Sequence, residues 1–166
     1  MDKKLQSDYI VRFSDCDLFG HLNNARYIDY FLNAREDHLR NSYDMDLRSF
    51  YQQGLSWFVG GHEIVYLRPA QYNEKIIITS SLFHVANDSL WVEFTMMDEK
   101  QTHYKSVMWT RFVPVNVKTG KKENHPESFL EFANQVKVEE VDLLAGMKER
   151  LDTLFASKYA AKVSTV

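Results

Sequence analysis

Residues 11–31 read VRFSDCDLFGHLNNARYIDYF, and the fold turns on the change of character at their middle. From Ser14 to Leu22 the residues are small, acidic or glycine, with no periodicity, and read as a loop. Asn23 or Asn24 then offers a helix N-cap. Beyond it Tyr27, Tyr30, Phe31 and Ala34 recur at the i, i+3, i+4, i+7 spacing of one buried helical face. Arg26, Asp29, Asn33, Arg35, Glu36 and Asp37 fall on the opposite side. The pattern predicts a helix to about Ser42.

Upstream, YIVRF (9–13) reads as a short strand. Downstream, a shorter helix is expected over Asp46 to Gln53, closed by Gly54. Four β-branched and aromatic runs follow: WFVGGHEIVYLRPA (57–70), KIIITSSLFHV (75–85), LWVEFTMMD (90–98) and HYKSVMWTRFVPV (103–115). QYNE, ANDS and EKQT separate them, the pattern of antiparallel strands joined by tight turns. Within the third run Leu90, Val92, Phe94 and Met96 alternate with Trp91, Glu93, Thr95 and Met97, which predicts two distinct faces. The paired Gly60 and Gly61 suggest a bulge or a close backbone approach. FLEFANQV (129–136) reads as helix. VDLLAGMKERLDTLFA (141–156) reads as a C-terminal helix with Leu143, Leu144, Met147, Leu151, Leu154 and Phe155 near one face, and SKYAAKVSTV (157–166) as a frayed tail. Strands in succession with helix segregated from them define an α+β class. The simplest packing wraps an antiparallel sheet around the one long apolar helix.

The 166 residues are enough for a single domain with a real core, and 45% of them are apolar. A net charge of −3 argues against a nucleic-acid binder, which carries a basic face. No run approaches a membrane span, so no membrane partner is expected. The opening MDKKLQSDYI lacks a signal-peptide core, and the single cysteine, Cys16, cannot form an internal disulfide. The expectation is a cytoplasmic protein.

The densest chemistry lies in residues 14–27. Asp15 and Asp17 are two apart and point the same way if the chain is extended there. Gly20 permits a tight bend, and Asn23 and Asn24 present backbone N–H groups at a helix start. Free donors and the helix dipole there stabilise an oxyanion or polarise a carbonyl. A carboxylate beside them can attack that carbonyl or activate a water. The same residue types also mark an ordinary loop and helix cap.

This loop, through Arg12, Phe13, Asp15, Asp17, Gly20, His21, Asn23, Asn24 and Tyr27, resembles the signature loop of hotdog-fold thioesterases. That class includes 4-hydroxybenzoyl-CoA thioesterases and bacterial acyl-CoA thioesterases. YLRPAQYNEKIIITSSL (66–82) and PVNVKTGKKENHP (114–126) extend the likeness, which covers residues 7–130 or so; the helical extension over roughly 135–160 has no counterpart. The resemblance implies a hotdog fold and hydrolysis of acyl-CoA to a carboxylic acid and CoA. Asp17 matches the nucleophile or general base, and Asn24 the backbone N–H that meets the thioester oxygen. Gly20 and His21 complete the catalytic loop, with Asn23 and Tyr27 beside the substrate. The family assembles from dimers, so a homodimer or tetramer is implied, with the acyl pocket between subunits.

The GHxNN form of the loop also resembles acyl-carrier-protein thioesterases, which leaves the carrier open. An Asp17 and His21 acid–base pair would suit a hotdog dehydratase or hydratase, and a non-catalytic thioester-binding module is the third alternative. Asp15, Asp17 and His21 have ligand chemistry for a divalent ion, but no further cluster supports one, so neither metal nor cofactor is expected. Asp15 reads as structural, pairing with Arg12 or holding the loop, and Cys16 as a small buried apolar side chain.

Overall fold

Five antiparallel strands form one sheet in the order β1-β3-β4-β5-β2 in this computed structural model, which describes residues 1–163. The strands are β1 (Lys4–Ile10), β2 (Leu55–Tyr66), β3 (Lys75–Ala86), β4 (Ser89–Asp98) and β5 (Tyr104–Asn116). Helix α1 (Asn24–Tyr43) packs on one face of the sheet, and residues of α2 (Leu47–Gln52) and α3 (Glu127–Val136) line a cavity beside it. This is the α+β hotdog arrangement expected from the sequence.

Helix α1 forms where its apolar spacing places it. Tyr27, Phe31, Ala34 and His38 are its buried stripe, packed against Ile76, Ile78, Phe94 and Met96. Asp44, in the left-handed region at φ 53°, ends it. The alternation of β4 holds: Leu90, Val92, Phe94 and Met96 face α1, while Trp91 and Met97 join a second cluster on the sheet's outer face. Gly60 marks a bulge in β2, where a Cβ would come within 2.8 Å of Arg111 Nε.

Several boundaries differ from the sequence reading, most of all those of the first strand and the last helix. The first strand spans Lys4–Ile10, not 9–13, and Phe13–Asp15 is a 3-10 turn. Only alternate β1 residues turn inward, so its apolar density is low. The last helix, α4, spans Gly146–Val163 and continues through part of the stretch read as a frayed tail; residues 164–166 lie outside the described residues. Leu143 and Leu144 precede it, and Leu144 is fully exposed. Met147 and Leu154 hold α4 to the outer face with Phe83, Val107 and Trp109. Arg150 completes the dock by a bidentate ion pair with Glu93, which also accepts from Trp109 Nε1.

A buried polar chain crosses from β3 to α1 and β1. His38 Nδ1 lies 2.7 Å from Ser80 Oγ and Nε2 2.8 Å from Ser7 Oγ. Ser7 bonds Tyr9, whose hydroxyl donates to Asp37. Burial, reinforced by the Arg35 charge, pushes the His38 pKa from 6.5 down to about 4. The folded state therefore takes up this proton less readily than the unfolded chain. The resulting stability is fully present above pH 6.5 and is lost as the pH falls toward 4. At ~1.4 kcal/mol per unit the loss is about 3 kcal/mol. Unfolding free energies of wild type and His38→Gln across that window will show a shallower acid slope in the variant. Parallel slopes would contradict the assignment.

Candidate active site

The loop between β1 and α1 is closed on itself. Cys16 and Leu22 form an isolated antiparallel bridge, and Asp17 N donates to His21 O at 2.8 Å. Gly20 turns the chain at φ 73°, in the left-handed region that glycine enters without strain. A second loop supports the first. Leu22 N donates to Ala70 O, Tyr72 N donates to Gly20 O, and His21 bridges Gln71. Tyr27 is buried, with its hydroxyl accepting from Ala70 N and its ring edge-on to Tyr66. That is a packing position. Tyr66, which the sequence did not single out, donates to Asn24 O at 2.7 Å and so ties β2 to the helix start.

The two oxygens of Asp17 are used differently. Oδ1 accepts from Phe19 N at 2.9 Å and His21 N at 3.1 Å. Oδ2 has no hydrogen-bond donor among the described residues, and the side chain is exposed. One oxygen thus fixes the carboxylate while the other stays open. His21 reaches Asp17 through its main chain, not its ring.

The helix start shows the same division. Asn23 is the N-cap: Oδ1 accepts from Ala25 N at 3.0 Å and its carbonyl accepts from Arg26 N at 2.8 Å. Asn24 is the first helical residue, and its N–H has no acceptor among the described residues. The cap therefore satisfies two of the first donors and leaves one at the positive end of a 20-residue helix.

Asp15 diverges from Asp17. It accepts from Tyr30 Oη at 2.8 Å and lies 4.0 Å from Arg26, not beside Arg12. Tyr30 in turn accepts from Arg12 N, so Asp15 braces the loop against α1. Among the described residues no group of three His, Cys, Asp or Glu side chains is placed to hold a metal ion. Cys16 is half-buried rather than buried, and donates to Arg12 O. Burial, then the charges of Asp15 and Asp17, push its thiol pKa up, which disfavours the thiolate a nucleophile needs. Lys105 is buried and paired with Glu74.

Beside the helix an apolar cavity of about 280 Å³ is lined by residues of α1, α2, α3 and the sheet, among them Leu39, Trp57, Leu90, Phe112 and Phe129. Trp57 Nε1 donates to His125 Nε2 at 3.0 Å, and both rings stack near Phe129, which stiffens one wall.

The fold is a hotdog sheet on one long helix, with a half-free carboxylate in the loop before that helix and an open N–H at its start. Residues 11–133 match the thioesterase-like superfamily, and the chain belongs to that family. It is 28% identical over 117 residues to the long-chain acyl-CoA thioesterase FadM of Escherichia coli (strain K12), covering 70% of this chain and 87% of FadM. The solved structure of YbaW, a probable thioesterase from Escherichia coli, superposes with a TM-score of 0.68 at 27% identity, over 81% of this chain and 98% of that one. The DHNA-CoA thioesterase from Staphylococcus aureus shares the fold at a TM-score of 0.72 and 16% identity, over 80% of this chain and 89% of its own.

Proposed function

We propose that this protein hydrolyses acyl-CoA thioesters to the free acid and CoA, with Asp17 as the reacting carboxylate. The observation that carries the reading is the open Asp17 Oδ2 in the same small loop unit as the uncapped Asn24 N–H. In this reading the thioester oxygen accepts from Asn24 N–H, and the helix dipole stabilises the charge that grows on it. Oδ2 takes a proton from water as the hydroxide adds to the carbonyl carbon. The tetrahedral adduct then expels the thiolate, which recovers that proton as the free thiol of CoA. Direct attack by Oδ2, giving an acyl-carboxylate anhydride that water then hydrolyses, uses the same oxygen and the same balance. Gly20 and the His21 backbone set the turn, and Asn23 directs the cap so that Asn24 stays free.

The apolar cavity along α1 suits an alkyl chain, in keeping with the long-chain activity in FadM's name. A second copy of the chain completes the site. β2 is an edge strand whose residues from Phe58 to Glu63 are exposed, and Leu18 and Phe19 stand fully out beside Asp17. An unpaired twelve-residue edge with apolar neighbours is a pairing surface, so the working unit is a homodimer with the acyl pocket at its seam.

Dodecanoyl-CoA and dodec-2-enoyl-CoA, given separately to the purified protein, test the reading. The expected result is free thiol from both with the sum of enoyl species preserved. Loss of the conjugated enoyl absorbance without thiol release would replace hydrolysis by hydration.

A further inference from the structure

The cavity along α1 is not uniformly apolar: Arg35 and Glu36 line it, and the Glu36 carboxylate is already taken by Arg40. Among the described residues the Arg35 guanidinium has one hydrogen-bond partner, Ser80 Oγ, 3.2 Å from Nη1. Among the described residues no carboxylate pairs with it, whereas Arg26 and Arg40 on the same helix pair with Asp29 and Glu36. Ser80 is fully buried and held by His38, so this contact anchors one edge of the guanidinium to the core. The group carries five donors in a rigid fork, and most remain uncommitted. No fully buried side-chain nitrogen or oxygen of the described residues lacks a partner, so the uncommitted nitrogens keep access to open space.

A cation without a counter-charge beside Leu39, Leu82 and Phe132 is an expensive feature of an alkyl-binding cavity. Burial lowers the Arg35 pKa to about 10, which leaves it charged at neutral pH. A wholly hydrocarbon chain would strip water from those donors and return nothing. A chain carrying an oxygen would replace the water, and a carboxylate would also neutralise the charge. Arg35 lies eleven residues beyond Asn24, about 16 Å along the axis at 1.5 Å per residue, with its side chain leaning back toward the helix start.

We infer that the preferred substrates are CoA thioesters of medium-length acyl chains bearing a distal oxygen function, a carboxylate foremost, which Arg35 binds. This rests on the thioesterase reading above. The test compares kcat/KM for unsubstituted, ω-hydroxy and ω-carboxy acyl-CoA of matched length, over a series from medium to long chains. At the best-fitting length the ω-carboxy substrate should exceed the unsubstituted one by roughly 10–100-fold, with the ω-hydroxy substrate between. Arg35→Met should bring the ω-carboxy and unsubstituted substrates to similar kcat/KM, while Arg35→Lys should retain part of the preference. If Arg35→Met does not fold, the wild-type ratios and Arg35→Lys still decide. A wild type that favours the unsubstituted chain at every length, or a carboxylate preference that survives Arg35→Met, overturns the inference alone. Absence of thiol release from every substrate overturns the thioesterase reading and the inference together.

Discussion

Asp17→Asn will fold like the wild type and lose at least ~100-fold in kcat on acyl-CoA, the scale of a lost acid–base group. The substitution keeps what the structure asks of Oδ1. An amide oxygen accepts from Phe19 N and His21 N as a carboxylate oxygen does, so the loop stays closed. What changes is the oxygen that has no protein donor, which becomes a neutral amide nitrogen without basicity or nucleophilicity. Thermal unfolding and thiol-release kinetics on the same preparation separate the two effects. A variant with near-wild-type kcat would remove Asp17 from the chemistry. A variant that unfolds many degrees early would make its role structural.

Glu93→Ala will cost about 3–5 kcal/mol of stability, the effect of leaving a buried charge unpaired. Glu93 is 2% exposed and accepts both Arg150 bonds at 2.8 Å and the Trp109 Nε1–H at 2.9 Å. Removing it strands an arginine that is itself 9% exposed, together with an indole donor. Glu93→Leu combined with Arg150→Met should recover most of the loss, since an apolar pair of similar volume removes both charges. Denaturant unfolding of the three proteins measures this, and a loss below about 1 kcal/mol in Glu93→Ala would mean that α4 carries little of the fold. The pair sits on the sheet face away from α1, so kcat of the folded variant should stay near wild type.

What the sequence revealed follows from which interactions are local. The face of α1 and the alternation of β4 are periodic features of neighbouring residues; β4 stands as read, and on α1 Tyr27, Phe31 and Ala34 do, while Tyr30 is half-buried and His38 completes the stripe. β1 was misplaced because Lys4, Gln6 and Asp8 face solvent on an edge strand, leaving only Leu5, Ser7 and Tyr9 turned inward. α4 was legible as helix, but not its docking. A core position is taken by Arg150, whose partner stands 57 residues earlier on β4, so no local pattern marks it. Arg35 fell on the polar side of α1 by spacing, yet it lines a cavity because α2 and α3 cover that side. At the site the residue types of the loop were readable. The division of labour between the two Asp17 oxygens was not, because it depends on how the turn from Asp17 to His21 closes.

The most direct measurement is thiol release from a series of acyl-CoA substrates, acetyl to palmitoyl with an aromatic member, by wild-type protein and Asp17→Asn purified alike. Turnover by the wild type should grow with chain length until the cavity is filled and fall at least ~100-fold in the variant. Turnover of equal rate in both proteins, or none from any substrate, would contradict hydrolysis through Asp17.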